Sequence, residues 1–527
     1  MNNEVYATMA VAAAVAVALG AFLRQRGWGI AIPLLVAGAV IGALPVGPDA
    51  PPEPEIILVA VLAPLVFGEA LGASYLDLRR VSRPVLALAV GLVVVTTVVV
   101  AAVGVWIAAM PLAMAMALGA VLAPTDAVAV SAVARRAGLP RRLVSILEGE
   151  SLVNDGTGLT ALKVALVAAA AGTLGVLDVA RVFTLAVVVG VGVGILGGYL
   201  LSWVLRSSTD LVPANGLVLV APFVLYLVSE TFEGSGILSV VVAALFVAGK
   251  QNADPGHTGR VQSVNLWKHI TFVLQCMAFF LIGMELPEVL ARTSKQDLGT
   301  LLLLVPAVLL TLIVLRTAFV FGMIGASRAA RGGGGANIRR GAIILSWAGA
   351  RGPVSGLGAF SIPVIFASGE VVPFRDLILS TVFVIIVLTL LLSLTLAPLA
   401  RAVGIKPDDD GELLRRVDAR MARAALDRLT DYEAQALESG APLPNDVSVQ
   451  LRADAERRLE AAAEPESVSL TKELRVSQII EAARAMVRAE QEELIAMRDA
   501  EGLPDTLVRP LLRKLDTRDQ ALRTQSG

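Results

Sequence analysis

Long runs of apolar residues recur through about the first 400 residues, and they restrict the possible folds more than any other feature of the sequence. A helix needs about 20 apolar residues to cross about 30 Å of hydrocarbon. Within lipid, only helices and closed barrels satisfy every backbone hydrogen bond, and runs of this length fit helices. Hydrophobic residues make up 56% of the 527 residues, more than in ordinary soluble proteins. We therefore predict an all-α polytopic membrane protein.

The apolar runs predict about thirteen membrane-spanning helices. They lie at residues 5–23, 28–44, 55–73, 84–107, 112–134, 141–171, 180–204, 213–230, 236–249, 269–288, 298–325, 339–367 and 376–400. If the N-terminus is outside, the inside segments carry 19 Lys and Arg residues and the outside segments carry 4. Because Lys and Arg concentrate on the cytoplasmic side, we expect a multi-pass protein of the plasma (inner) membrane, in contact with lipid, with a cytoplasmic C-terminus.

The composition changes near residue 404. Residues 404–527 hold 19 Lys and Arg and 25 Asp and Glu, with apolar residues at helical spacing. This pattern predicts a soluble helical cytoplasmic domain after a membrane domain at residues 1–403. The net charge of −1 and the lack of a basic tract argue against nucleic acid as a partner. One cysteine and two histidines give little basis for disulfides or a transition metal, so no cofactor is predicted.

Three acidic residues lie in the sixth predicted span, where a charge near mid-bilayer costs roughly 2.5–3.5 kcal/mol. Glu150 and Asn154 are four residues apart, as are Ser151 and Asp155, so each pair shares a helix face. Asp155 falls near the middle of the span. Carboxylate and hydroxyl oxygens are hard ligands that suit Na⁺ or Li⁺. This face is therefore a candidate cation site.

Two other spans contain residues that interrupt helices. The fifth span includes Pro124, Thr125 and Asp126, and the twelfth has glycines and a proline around Arg351. Proline removes a helix hydrogen bond, and broken helices expose carbonyls and helix ends that can bind ions. An alternative for the fifth span is a simple kink with Asp126 capping the second half-helix. Both interruptions fall on the fifth member of a six-span set, which predicts two inverted six-helix repeats, spans 1–6 and 8–13. In such a plan the broken helices are expected to cross at the ion site.

The remaining buried charges have competing interpretations. Arg351 needs an acidic partner, and Glu150 and Asp126 are the available ones. Arg316, in the eleventh span, is expected either to form a salt bridge or to support the site directly. Lys163 is expected to extend toward the outer interface, whereas Glu69 is expected to act as a hinge or a pair partner.

Four motifs resemble, in their order and spacing, the NhaP-type and animal exchanger branch of the monovalent cation/proton antiporters. They are Ala123-Pro124-Thr125-Asp126, Gly149-Glu150-Ser151-Leu152 with Asn154-Asp155, Phe280-Leu281-Ile282-Gly283-Met284-Glu285-Leu286, and Arg351-Gly352. The resemblance covers spans 3 to 13. It implies a homodimer in which a core domain moves against a dimerisation domain.

The resemblance also implies roles for individual residues. Asp155 would bind the cation or the proton, and Na⁺ would contact Asp155, Ser151 and Thr125. Glu150, Asn154 and Asp126 would support the site, and Arg351 would form an ion pair with Glu150. The sequence Asn154-Asp155 resembles the electroneutral branch of the family.

We therefore expect a secondary active transporter, not an enzyme, that exchanges Na⁺ for H⁺ and serves pH and sodium homeostasis. Potassium/proton exchange is an alternative, and Li⁺ is another possible cation. An intramembrane aspartyl protease would use Asp126 and Asp155, although Asn154 stands where such enzymes have glycine. A channel is a further alternative, and it would lack proton coupling centred on an aspartate.

Overall fold

A computed structural model describes most of the chain. The described residues are 3–44, 57–126, 139–172, 175–207, 211–251, 259–293, 295–331, 336–366, 368–405, 411–439, 442–463 and 466–501, with isolated residues after that. The chain divides into two compact units, Met1–Asp408 and Asp409–Gly527.

In the described part of the first unit, the regular secondary structure is helical, apart from one isolated β-bridge between Ile365 and Val371. Its helices in chain order are α1 Asn3–Gln25, α2 Ala31–Gly42, α3 Leu58–Gly72, α4 Tyr75–Arg80, α5 Ser82–Ala108, α6 Leu112–Leu122, α7 Arg141–Ala171, α8 Val176–Ser207, α9 Leu211–Thr231, α10 Gly236–Gln251, α11 Gly259–Arg292, α12 Lys295–Arg331, α13 Ala336–Trp347, α14 Pro353–Phe360, α15 Arg375–Ser393 and α16 Leu396–Val403. The prediction of an all-α fold is confirmed for the described residues.

Seven of the described helices are long and apolar enough to cross a membrane. They are α5, α7, α8, α9, α11, α12 and α15. Five shorter apolar helices, of 10–17 residues within the described ranges, lie in α1, α2, α3, α6 and α10. Large apolar side chains remain exposed on several of them, such as Trp106 on α5 and Trp203 on α8. Apolar surface of this extent is expected where helices face lipid.

Both predicted interruptions are present. Helix α6 ends at Leu122, and the chain is not helical from Ala123 to Asp126. The rest of the predicted fifth span, at residues 127–134, lies outside the described residues. The twelfth predicted span is divided into α13 and α14, separated by the non-helical residues 348–352. Pro353 occupies the first position of α14, where its missing N–H is no loss.

Helix α7 lies at the centre of the first unit and packs against α5, α6, α8 and α10. Its face around Glu150 to Thr160 is buried, although it contains carboxyl, hydroxyl and amide groups. Buried polar groups of this kind require partners. The partners described below come from the interruption after α6, from α12 and from the turn between α9 and α10.

The second unit contains three long helices, α17 Gly411–Glu438, α18 Asn445–Ala463 and α19 Glu466–Glu501. Helices α17 and α18 pack against each other, and Arg452 of α18 contacts Glu433 of α17 at 2.7 Å. Arg484 of α19 contacts Asp519 at 3.0 Å. These contacts join charged side chains near the surface, each worth about 0–1 kcal/mol.

Candidate functional site

The predicted polar face of α7 is buried inside the helix bundle. Glu150, Ser151, Asn154 and Asp155 are each 1–4% exposed. These side chains are buried because neighbouring helices approach α7 closely at small residues such as Gly149 and Gly156. The structure therefore brings together, on one helix, the four residues that the sequence singled out there.

Thr125 connects the interruption after α6 to this face. Its Oγ1 donates a hydrogen bond to Glu150 Oε1 at 2.9 Å and accepts one from Asn154 Nδ2 at 3.0 Å. Asn154 Oδ1 is buried and accepts no hydrogen bond from the described residues. An oxygen of this kind is costly to bury unless some group satisfies it. It can therefore serve as a ligand for a cation.

The two interrupted segments cross each other next to Thr125. The Asp126 N–H donates to the carbonyl of Ala350 at 2.8 Å. A β-carbon placed on Gly352 would lie 2.2–2.3 Å from the Asp126 carboxyl group. Any side chain at position 352 would collide with Asp126, so the crossing of the two segments requires glycine there. The sequence predicted both interruptions, and the structure shows that they are in direct contact.

Glu150 pairs with Arg316, not with Arg351 as predicted. The two guanidinium Nη groups of Arg316 donate to the two carboxylate oxygens of Glu150, and the Nη2–Oε2 distance is 2.9 Å. Arg316 Nε also donates to the Leu345 carbonyl at 2.8 Å. Both side chains of the pair are at most 3% exposed. A bidentate pair satisfies charge and hydrogen bonding together, so Arg316 neutralises Glu150.

Arg351 instead donates to backbone carbonyls. Its Nε contacts the Leu122 carbonyl at 2.7 Å, and its Nη1 contacts the Gly349 carbonyl. Leu122 is the last residue of α6, so this guanidinium satisfies a carbonyl that the helix leaves without an intrahelical donor. A positive charge at a helix C-terminus is also favoured by the helix dipole. The physical reason for the correction is that the break exposes carbonyls close to Arg351, whereas α12 places Arg316 against Glu150.

Asp155 is the acidic residue at the middle of this face, and it is 3% exposed. Asp126 and Glu69 are close enough to interact with it electrostatically. Glu69 of α3 accepts a hydrogen bond from Gln275 of α11 at 3.1 Å. The sequence suggested a hinge or pair role for Glu69 and gave no reason to place it near Asp155. In the sequence, Glu69 stands out as a carboxylate within an apolar run, and this is the feature that could have marked it as a site residue.

The described residues include no group of three or more His, Cys, Asp and Glu side chains that could hold a metal ion. The oxygens near Asp155 belong to serine, threonine and asparagine and to the broken segment around Thr125. Carboxylate, hydroxyl and amide oxygens are hard ligands that suit a monovalent cation such as Na⁺ better than a soft transition metal.

Comparisons with known proteins agree with this chemistry. Residues 10–402 match the family model described as "Sodium/hydrogen exchanger, transmembrane". A "Sodium, potassium, lithium and rubidium/H(+) antiporter" of Bacillus pumilus is 32% identical over 395 residues, which cover 70% of this chain and 57% of that protein. The match thus spans less than two thirds of the Bacillus protein. The "Uncharacterized Na(+)/H(+) exchanger YjcE" of Escherichia coli is 27% identical and matches 97% of this chain and 98% of its own length.

A solved structure has a similar fold. It is the sodium proton antiporter MjNhaP1 of Methanocaldococcus jannaschii at pH 8, with a TM-score of 0.60 and 17% identity. The similarity covers 76% of this chain and 100% of that one. At this identity the likeness concerns the fold alone.

Proposed function

Because this chain belongs to the sodium/hydrogen exchanger transmembrane family, we propose that it exchanges Na⁺ for H⁺ and that both ions compete for Asp155. The family consists of cation/proton antiporters, so the chain is a transporter and not an enzyme. The observation that carries the proposal is the Asp155 carboxylate, which is buried on α7 beside the crossing of the two interrupted segments.

Competition at one carboxylate can couple the two fluxes. Ionised Asp155 binds Na⁺, with Ser151, Thr125 and Asn154 as sources of neutral oxygen ligands. Protonated Asp155 binds no cation. Both loaded forms carry the same local charge, whereas the empty ionised site retains a buried charge that is costly in a low-dielectric interior. The loaded forms therefore cross readily and the empty form crosses slowly, which enforces exchange.

The surrounding charges support a one-for-one, electroneutral stoichiometry. Arg316 already neutralises the carboxylate of Glu150, so this pair has no net charge with which to bind a transported cation. Asn154, directly before Asp155, cannot ionise. With Asp155 as the exchanging carboxylate, one cation replaces one proton. Asp126 then contributes to the crossing and to the electrostatic environment of Asp155.

Potassium is the principal alternative cation. The printed name of the Bacillus pumilus relative includes potassium, lithium and rubidium as well as sodium. Selectivity among these ions depends on small differences in cavity size and ligand number. We therefore include K⁺ and Li⁺ beside Na⁺ in the transport test. The protease alternative has no support from the family.

The proposed topology has thirteen spans, with the N-terminus outside and the second unit in the cytoplasm of a plasma-membrane protein. Seven long helices, five shorter apolar helices and the interrupted α13–α14 segment account for these spans. Two inverted repeats would place the two interruptions at equivalent positions. Homodimerisation, and a role in pH and sodium homeostasis, complete the proposal.

The test is exchange in proteoliposomes or everted vesicles that contain a pH-sensitive dye. We expect Na⁺, K⁺ or Li⁺ to dissipate an imposed proton gradient with the wild-type protein and to fail with Asp155→Asn. Asp178→Asn is the matched control, because Asp178 is an exposed aspartate at the start of α8. Transport by Asp155→Asn at the wild-type rate would remove Asp155 from the mechanism.

A further inference from the structure

Beyond Asp155, one face of α7 packs against the turn between α9 and α10. Gly156 directly follows Asp155, and a β-carbon at Gly156 would lie 3.2 Å from Leu238 Cδ1. One helical turn further, Thr160 Oγ1 donates to Ser235 Oγ at 2.8 Å. These positions are spaced by four residues and share a face. The turn and the start of α10 therefore cover α7 from the residue after Asp155 onward.

An ion pair completes the contact. Lys163 Nζ donates to Glu230 Oε2 at 2.7 Å and to the Gly234 carbonyl at 2.8 Å. Glu230 Oε1 also accepts a hydrogen bond from the Gly236 N–H at 3.0 Å. The two charged side chains are 31% and 32% exposed, so water reaches the pair. Lys163 is eight residues beyond Asp155, or about 12 Å along the helix. The sequence indicated only that Lys163 extends outward and gave no partner.

The turn is anchored to its own neighbours by backbone bonds. The Ser235 N–H donates to the Ala186 carbonyl of α8 at 2.9 Å, and the Gly234 N–H donates to the Ser229 carbonyl at 2.8 Å. In contrast, the hydrogen bonds described here between α7 and the turn start from α7 side chains. Such bonds can be released without unfolding either helix, whereas the turn stays attached to α8.

We propose that Thr160 and Lys163 of α7, with Glu230 at the end of α9 and Ser235 of the following turn, form a latch that closes one route to Asp155. The inference rests on the proposed exchange function, in which the site must open to the two sides in turn. In the proposed topology α7 runs outward from Arg141, so the latch closes the outer route. These four residues act as gating residues and do not bind the cation.

A reversible cross-link tests whether the latch must open. In a Cys276→Ala background, Thr160→Cys and Ser235→Cys replace two oxygens that are 2.8 Å apart. This separation brings the β-carbons near the ~3.5–4.5 Å that a disulfide needs. We expect oxidation to lower exchange by roughly tenfold or more, and a reductant to restore it. Each single cysteine variant should be insensitive to the oxidant.

The control pair is Gly104→Cys with Ala115→Cys, which joins the neighbouring helices α5 and α6. A β-carbon at Gly104 would lie 3.4 Å from Ala115 Cβ, so this pair should also cross-link. We expect exchange to continue in this oxidised control. Parental exchange in the oxidised, cross-linked Thr160→Cys/Ser235→Cys protein would refute the latch and leave the exchange function intact. Failure of this pair to cross-link would contradict the proximity on which the latch depends.

A second measurement does not require transport, so it separates failure of the latch from failure of the exchange function. Leu238→Cys is labelled with a membrane-impermeant thiol reagent from the outer face, with and without Lys163→Met. Releasing a partly exposed ion pair should speed labelling by about two- to fivefold, and Glu230→Gln should act in the same way. Unchanged rates in both variants, or labelling from the inner face alone, would overturn the proposal. If the folded parent exchanges no cation while labelling responds as expected, the proposed function is wrong and the latch stands.

Discussion

Arg316 is expected to be energetically coupled to Glu150 more strongly than Arg351 is. Arg316→Met removes both guanidinium contacts with the Glu150 carboxylate and keeps a long apolar side chain. Glu150 then retains the Thr125 hydroxyl, 2.9 Å away, as its hydrogen-bond donor. Because both members of the pair are at most 3% exposed, water cannot easily replace the lost partner. Arg316→Met therefore leaves a buried, unpaired carboxylate.

The expected loss of stability in Arg316→Met follows from the burial of this ion pair. Removing one partner of a buried ion pair costs about 3–5 kcal/mol. In a unit of this size, each kcal/mol corresponds to roughly 1–2 °C of Tm, by extrapolation from smaller domains. We expect Arg316→Met to lower the Tm by about 3–10 °C. Glu150→Gln should cost less, because its amide oxygen still accepts a hydrogen bond from Arg316.

The assay is a double-mutant cycle read by thermal unfolding of purified protein in detergent. The double variant Glu150→Gln/Arg316→Met has no buried charge at this position, so it should recover at least about half of the loss caused by Arg316→Met. The control cycle replaces Arg351 by methionine, which removes bonds to the Leu122 and Gly349 carbonyls. Its coupling to Glu150→Gln should be smaller than that of Arg316→Met, because the described hydrogen bonds of Arg351 go to backbone carbonyls and not to Glu150. Larger coupling of Glu150 to Arg351 than to Arg316 would refute the reasoning.

Three further predictions concern the crossing, the site and the second unit. Gly352→Ala should abolish stable expression because its β-carbon would collide with the Asp126 carboxyl group, whereas Gly322→Ala, with no neighbouring atom within 4 Å, should express normally. Thr125→Val removes the hydrogen bonds to Glu150 and Asn154; it should cost about 1–3 kcal/mol in thermal unfolding and weaken apparent Na⁺ affinity in the vesicle assay. Truncation after residue 410 removes α17–α19 and no proposed site residue, so the shortened protein should still exchange cations; complete loss of exchange in a folded protein would contradict this expectation.

The interruptions and the polar face of α7 could be predicted because local sequence determines them. Proline limits helix geometry wherever it occurs. Pro124 lies in the non-helical stretch after α6, and Pro353 is the first residue of α14. The spacing of four residues between Glu150 and Asn154 fixes a shared face once the segment is helical. Contact between the two interruptions was expected from the repeat pattern, and the hydrogen bond between Asp126 and Ala350 now defines it.

The choice between the two arginines could not be predicted, because it depends on how distant helices rotate about their axes. Arg316 is 166 residues from Glu150, and nothing in the sequence between them fixes which face of α12 turns toward α7. Arg351 looked equally suitable because it is near the second interruption. Its actual acceptors are backbone carbonyls, which every residue carries and which no sequence motif reveals.

The division of roles between the two arginines bears directly on the proposed exchange. A guanidinium bonded to Asp155 would compete with both Na⁺ and H⁺ for the same oxygens. Instead Arg316 binds Glu150. Arg351 donates to the Leu122 carbonyl at the end of α6 and to the Gly349 carbonyl in the second interruption. Both positive charges thereby hold the interrupted segments in place through groups that do not exchange. In the proposed mechanism this leaves the carboxylate of Asp155 available to Na⁺ and H⁺, which is the condition that competition at a single site requires.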